Sequence, residues 1–203
     1  MVAPAVERVS QVSMDQCILV GFDLETTGLS DGCELTQLAA SRFDGNGNFD
    51  QYVLPQGPIT SGASATTGIT KRNGRLFLRS RPVASTDSCT ALSSFADWID
   101  QQGGKVVLVG HNVERFDSKH LWRAVTNANL SSRFSNLEGF VDTLPLLRSL
   151  YPDRKTHKQA AMFDLIVGGT YNAHNAMGDV NALVQTFCFQ IKFLHPFIHI
   201  ELR

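Results

Sequence analysis

Phe22-Asp23-Leu24-Glu25-Thr26-Thr27-Gly28-Leu29 sets two carboxylates two residues apart, directly after the apolar run Cys17-Ile18-Leu19-Val20. Such a run predicts a buried strand. If the strand continues through Glu25, its period of two puts Asp23 and Glu25 on one face. Like charges side by side at the end of a buried strand repel each other and are costly to desolvate. A divalent cation between them removes both costs. The alternative is a polar strand end that simply faces water.

Two further carboxylates fall at the starts of predicted helices. Asp117 precedes Leu121 and Val125 at four-residue steps, so it extends an apolar stripe at its N-terminal end. A first-turn aspartate stabilised by the helix dipole is the plainer alternative. The last helix, expected over 176–194, carries Ala176, Val180, Leu183, Val184, Phe187, Ile191 and Leu194 on one face, with Asp179 one turn before Leu183. His174 lies five residues before Asp179, about 140° away on a continuous helix, which places it on the preceding loop. In an α/β sheet, ligands collect at the carboxyl ends of strands. Four carboxylates converging there require cations, and hard oxygen ligands select magnesium or manganese. Two such ions about 3.5–4 Å apart clamp in-line attack on a phosphodiester, and a neutral histidine can take the proton from the attacking water.

The elements that must position these groups read as a mixed sheet with helices on its flanks. A strand from Cys17 is followed by a hairpin, 35–43 and 49–54, around the turn cluster Asp44-Gly45-Asn46-Gly47-Asn48. Residues 55–88, rich in Gly, Ser, Thr and Pro, are expected to be mostly loop with one short helical piece. Within them Lys71, Arg72, Arg75, Arg79 and Arg81 follow one another with no acidic residue between, and with Phe77 embedded. That run is either a phosphate-contacting loop or a solvated surface loop. A helix over 89–101 presents Leu92, Phe95, Ala96 and Ile99. Lys105-Val106-Val107-Leu108-Val109-Gly110 is a second buried strand, ending at His111-Asn112 before a helix over 116–128. Gly139–Leu144 is a strand entering a helix through Leu150, and a helix over 158–167 ends at Gly168-Gly169.

The 203 residues suit a single domain, expected over 15–195 between an N-terminal lead (1–14) and a C-terminal tail (196–203). Apolar content of 43% with 18% charged residues belongs to a globular chain. A net charge of −1 excludes a uniformly basic nucleic-acid coat but not a local basic patch. Cys17, Cys33, Cys89 and Cys188 lack any C-x-x-C spacing, so no zinc site or disulfide scaffold is indicated, and Cys17 and Cys188 are expected as buried thiols. No apolar signal core or run of about 20 apolar residues occurs, so the expectation is an intracellular, non-secreted protein of nucleus or cytoplasm, without a membrane partner.

The motifs resemble those of the DEDDh family of 3′→5′ exonucleases, within the ribonuclease-H-like fold. Phe22–Leu29 matches the D-x-E-T-T-G-L pattern, His111-Asn112-Val113-Glu114-Arg115-Phe116-Asp117 the second motif, and His174-Asn175-Ala176-Met177-Gly178-Asp179 the H-x-A-x-x-D pattern. Val141-Asp142-Thr143-Leu144 and Gly68-Ile69-Thr70 also have counterparts there. The three residues between Asn112 and Phe116-Asp117 are similar to the TREX-type spacing, and the chain is also similar to the exonuclease-like domains of promyelocytic leukaemia proteins. It lacks the TREX-type proline-rich insertion and long hydrophobic tail.

The resemblance implies an α/β ribonuclease-H-like single domain that removes 5′-mononucleotides from nucleic-acid 3′ ends with two Mg2+ ions, for which Mn2+ can substitute. It implies Asp23 bridging both ions, Glu25 and Asp179 completing one shell, Asp117 supporting the other and His174 as general base. Thr26, Thr27, Leu29 and Asn112 correspond to positions that hold the terminal nucleotide. DNA, single-stranded above all, is the expected substrate, with RNA 3′-end trimming or a catalytically weak nucleic-acid-binding module as alternatives. TREX-type relatives dimerise, so a homodimer is implied.

Overall fold

The computed structural model describes residues 17–194, with side-chain environments through 189. The expected lead (1–14) and tail (196–203), and the side chains of Ile191 and Leu194, lie outside the described residues. The frame is a mixed six-stranded sheet. Its strands are β1 (Cys17–Thr26), β2 (Leu35–Arg42), β3 (Asn48–Val53), β7 (Ser85–Thr86), β8 (Lys105–Gly110) and β9 (Leu137–Asp142). They lie in the order β7-β3-β2-β1-β8-β9. β1 runs antiparallel to β2 and parallel to β8, and β8 runs parallel to β9. β1 is therefore hydrogen-bonded on both sides.

One face of β1 carries Val20, Phe22 and Leu24 into the larger core. That core is closed by α2 (Ser88–Asp100) and α3 (Asp117–Asn127). α2 buries Leu92, Phe95, Ala96 and Ile99 as its 3.6-residue period requires, and Ala91 with them. Its start is capped by Asp87, whose side chain accepts the Thr90 amide at 3.0 Å. Phe95 stacks on Phe22 with ring centroids 6.1 Å apart and on Trp98 at 6.0 Å. Each such buried ring or Leu contributes about 1.5–3 kcal/mol.

The opposite face of β1 carries Gly21, Asp23 and Glu25 beneath α6 (Ala176–Leu194), which packs on β1 and β2 and is flanked by α5 (Gln159–Ile166). A Cβ on Gly21 would stand 2.9 Å from Val184 Cγ2 and 3.4 Å from Val180 Cγ1, so glycine there lets the helix approach the strand. Ala176 and Val180 pack against Ala39 of β2. α4 (Thr143–Leu150) follows β9 directly, with Asp142 as its cap.

Residues 55–88 correct the expectation of a loop. After α1 (Ser61–Thr67) they form a second, three-stranded sheet of β4 (Ile69–Arg72), β5 (Arg75–Leu78) and β6 (Arg81–Pro82), and then β7. The polar composition hid strands of two to four residues. The thiols are also corrected: Cys33 is the buried one, while Cys17 and Cys188 are only partly buried. Cys17 is the first residue of β1, at the end of the strand, and Cys188 reaches the Phe43 carbonyl at 3.8 Å. Among the described residues no helix is long and apolar enough to cross a membrane.

Candidate active site

β1 delivers Asp23 and Glu25 on the face toward α6, opposite Ala39 and Gln37 of β2, with an irregularity between Glu25 and Thr26 that ends the regular ladder. The strand becomes a turn fixed by its own threonines. Thr26 Oγ1 donates to the Gly28 carbonyl at 2.6 Å, and Thr27 Oγ1 accepts the Glu34 amide at 3.0 Å. Both residues are buried, whereas Leu29 at the tip is 89% exposed. The turn is held from behind by Arg123 of α3, which donates to the Cys33 carbonyl at 2.6 Å and to His120 Nδ1 at 2.7 Å.

β8 ends at Gly110, and Asn112 turns the chain with φ of 64° before α3 begins at Asp117. Asp142, at the end of β9, accepts the Asn112 amide at 2.8 Å, the Glu114 amide at 3.3 Å and the Leu144 amide at 2.9 Å. One carboxylate thus fixes the second motif and caps α4. Asp117 is 7% exposed, and the Leu24 amide of β1 hydrogen-bonds to it.

The third motif sits on the loop entering α6, as expected for His174. That residue is exposed and left-handed, with φ of 62°, the second such residue at the site after Asn112. Asn175 caps α6, its Oδ1 accepting the Gly178 amide at 3.1 Å. Asp179 has both oxygens engaged. Oδ1 accepts the Tyr171 hydroxyl at 2.7 Å and Oδ2 accepts the His174 amide at 2.8 Å. A Cβ on Gly178 would stand 2.2 Å from the Asn172 carbonyl oxygen, so only glycine lets the loop fold back on the helix start.

Ligand oxygens of Asp23, Glu25 and Asp179 all lie within 4.8 Å of one another. These three carboxylates would hold one hard divalent cation, supplying the oxygen ligands it prefers. Asp117 stands outside this close triad but is near enough to act on its charges. Burial raises the pKa of Asp23 well above the carboxylate range, and the charges of Asp117, Asp179 and Glu25 add to that. Glu25 is pushed up to about 8 by burial, then by Asp179 and Asp117. Burial also lifts Asp117 to about 7, against the pull of its amide hydrogen bonds. Asp179 is raised by burial despite the hydrogen bonds from Tyr171 and His174. Among the described residues no Lys or Arg forms an ion pair with any of the four. A site of uncompensated carboxylates in this arrangement fits a hard divalent cation.

Of the four carboxylates, Asp179 lines a cleft of about 700 Å³, together with His111, Asn112, Arg148, Lys155 and His174 among others. His111 Nδ1 is 3.0 Å from Thr143 Oγ1, and burial depresses its pKa, so a neutral imidazole lines the wall.

Residues 20–187 match the RNase T-type exonuclease family. The chain belongs to that exonuclease family. Over 156 residues it is 34% identical to the PolC-type DNA polymerase III of Streptococcus pyogenes serotype M18 (strain MGAS8232), covering 72% of this chain and 9% of the polymerase. The homologue from serotype M5 (strain Manfredo) is 33% identical over 154 residues, with the same coverage. Among solved structures, exonuclease I superposes with a TM-score of 0.72 at 20% identity, over 89% of this chain and 42% of that one. E. coli exonuclease I in complex with a dA16 oligonucleotide superposes at 0.69 and 21% identity, again over 89% and 42%. The chain therefore spans a small part of its polymerase relatives and less than half of exonuclease I. The exonuclease domain has the ribonuclease-H-like fold expected from its motifs.

Asp23, Glu25 and Asp179 come together in the fold, the charge of Asp117 reaches them, and the His174 amide touches Asp179. Thr26 and Thr27 spend their hydroxyls on the turn, Leu29 is exposed at its tip, and half-buried Asn112 lines the cleft. The positioning roles of three residues were not among the expectations. Tyr171 holds Asp179. Gln37, fully buried, accepts from Asn175 Nδ2 and the Ala176 amide at 3.1 Å each and donates to Asp50 at 2.7 Å. Asp142 gathers three amides. A buried glutamine in register with Glu25 was the available signal for Gln37; Tyr171 had none beyond its nearness to His174.

Proposed function

We propose that this exonuclease domain hydrolyses the terminal phosphodiester at nucleic-acid 3′ ends, working 3′→5′ and releasing 5′-mononucleotides, with single-stranded DNA favoured. The observation that carries the reading is the close triad of Asp23, Glu25 and Asp179 with His174 at its rim. The DNA preference is supported by the PolC-type polymerases among its relatives and by exonuclease I solved with a dA16 oligonucleotide. The spacer between Asn112 and Phe116-Asp117 supports the TREX-like branch.

Asp23, Glu25 and Asp179 would hold a magnesium or manganese ion, with Asp117 serving a second. The bound ions would supply Lewis-acid polarisation of the scissile phosphate and stabilise the attacking and leaving oxygens. His174 accepts a proton from the attacking water. The water oxygen bonds to phosphorus, the phosphorus–O3′ bond breaks, and the leaving O3′ takes a proton from solvent, so the shortened strand ends in a 3′-hydroxyl. Leu29 wedges the terminal base, and Asn112 shapes the same pocket. The exposure of His174 lets it exchange the proton with solvent after each turnover.

A 5′-labelled single strand incubated with magnesium should shorten from its 3′ end as a ladder. The ladder should vanish with EDTA and in Asp23→Asn. An intact strand at high enzyme concentration would refute the reading. His174→Ala should abolish turnover while leaving metal-dependent strand binding; normal cleavage by that variant would remove the general-base role.

A further inference from the structure

The basic run lies on the small sheet β4–β5–β6 and its turns, not on a loop. The chain holds 18 basic and 19 acidic side chains, yet residues 51–86 hold five basic and no acidic ones, leaving 13 basic against 19 acidic elsewhere. Two of the five are structural. Lys71 Nζ donates to the Pro55 and Gln56 carbonyls, each at 2.7 Å. Arg79 Nη2 donates to Asn172 Oδ1 at 2.9 Å. The other three, Arg72, Arg75 and Arg81, are exposed and have no acidic partner among the described residues.

Their display is preorganised. Asn73-Gly74 and Arg79-Ser80 each place two consecutive residues at positive φ, the geometry of tight hairpin turns that match strand twist. Arg72 and Arg75 are directly opposite across β4 and β5, and Arg72 also lies over the Phe77 ring at 5.6 Å. Like charges directly opposite destabilise a sheet, and among the described residues no carboxylate forms an ion pair with either. Beside them, Thr70 Oγ1 is buried without a hydrogen-bond partner among the described residues. It lines a hollow of about 560 Å³ shared with Arg72. A polyanion on this face removes the repulsion and can offer the hydroxyl an acceptor.

α1 and the sheet that follows it each make one contact with the active-site loops. The Thr60 amide, at the cap of α1, donates to the Thr27 carbonyl at 2.9 Å behind the carboxylate-bearing turn. Arg79 grips Asn172, whose own carbonyl lies against Gly178 beside Asp179. Through these contacts the positive surface is joined to the turn that follows Glu25 and to the loop that carries His174. We propose that β4–β5–β6 is a track for the single strand upstream of the scissile bond, with Arg72, Arg75 and Arg81 contacting successive phosphates. This rests on the exonuclease reading and adds where the strand is held.

The test compares Arg72→Glu/Arg75→Glu with the unaltered chain on a long single-stranded oligonucleotide and on the p-nitrophenyl ester of thymidine 5′-monophosphate, which reaches only the carboxylates. KM for the oligonucleotide should rise about tenfold, and its salt dependence should become shallower by about 0.7 per lost phosphate contact, while ester hydrolysis is unchanged. An unchanged KM for the oligonucleotide, or an equal loss on both substrates, overturns the track. Fluorescence anisotropy of a labelled strand in EDTA reads binding without turnover. A chain that cuts neither substrate would end the exonuclease reading, yet the variant must still bind the strand more weakly for the track to stand. Arg75→Gln/Arg81→Gln, which adds no new charge, should shift binding in the same direction by less; no shift overturns the proposal.

Discussion

Tyr171 donates its hydroxyl to Asp179 Oδ1 at 2.7 Å while the His174 amide takes Oδ2 of the same carboxylate at 2.8 Å. The orientation of one expected metal ligand is thus set by a phenol eight residues earlier and by the backbone of the expected base. Burial, and then the charge of Asp179, raise the tyrosine's pKa, so the phenol stays protonated and donating.

Tyr171→Phe should leave the fold intact and weaken metal use. Groups that orient ligands contribute about 10–100-fold in metal affinity or activity. The activity-versus-magnesium curve of the variant should shift to higher metal by about tenfold and recover at saturation. A curve superposable on that of the unaltered chain would show that the phenol orients nothing.

The raised carboxylates make stability pH-dependent in the metal-free chain. Glu25 titrates at about 8 in the fold against 4.5 when unperturbed. Between those values the unfolded chain has lost a proton that the folded chain still holds, so stability falls as pH rises through the window. Thermal melts without metal should show Tm declining from about pH 5 toward about pH 8. Magnesium or manganese should raise Tm more at the upper end, where the site is least compensated. Glu25→Gln should flatten the decline; a Tm that climbs with pH, or ignores metal, contradicts the assignment.

Gly178→Ala tests the contact between loop and helix. The added Cβ would meet the Asn172 carbonyl at 2.2 Å, and the strain should cost about 1–3 kcal/mol of stability. Because the same loop carries His174, turnover should fall by about 100-fold, measured under conditions where the variant is still folded. Full turnover in Gly178→Ala would mean that the loop relaxes without moving the histidine.

Gln37→Leu keeps the volume but leaves the buried Ala176 amide without its acceptor, while Asn175 Nδ2 keeps only Tyr52. Unsatisfied buried donors cost about 1–3 kcal/mol each, so urea unfolding should shift to lower midpoint with the slope preserved. A variant as stable as the parent would mean that α6 finds its place by apolar packing alone.

The parts readable from sequence were those with a period or a local rule. The alternation Phe22, Asp23, Leu24, Glu25 announced one core face and one carboxylate face. The four-residue spacing of Asp117, Leu121 and Val125 announced a buried acid at a helix start. The small sheet escaped because its strands are shorter than any periodic signal, although Asn73-Gly74 between Ile-Thr-Lys-Arg and Arg-Leu-Phe-Leu is a hairpin turn in its own right. Tyr52 and Gln37 meet Asn175 from more than a hundred residues away, and no local rule reaches that far. The same holds for Arg123 behind Cys33: a cation near a cysteine in space was not near it in the chain.

β1 has hydrogen-bonded neighbours on both edges, a core on one face and α6 on the other. Amides of such a strand exchange with solvent only when the whole molecule opens. Asp23 and Glu25 therefore share the lifetime of the fold itself: deuterium uptake at Phe22–Leu24 should track global unfolding, and local breathing elsewhere should leave the two carboxylates in register.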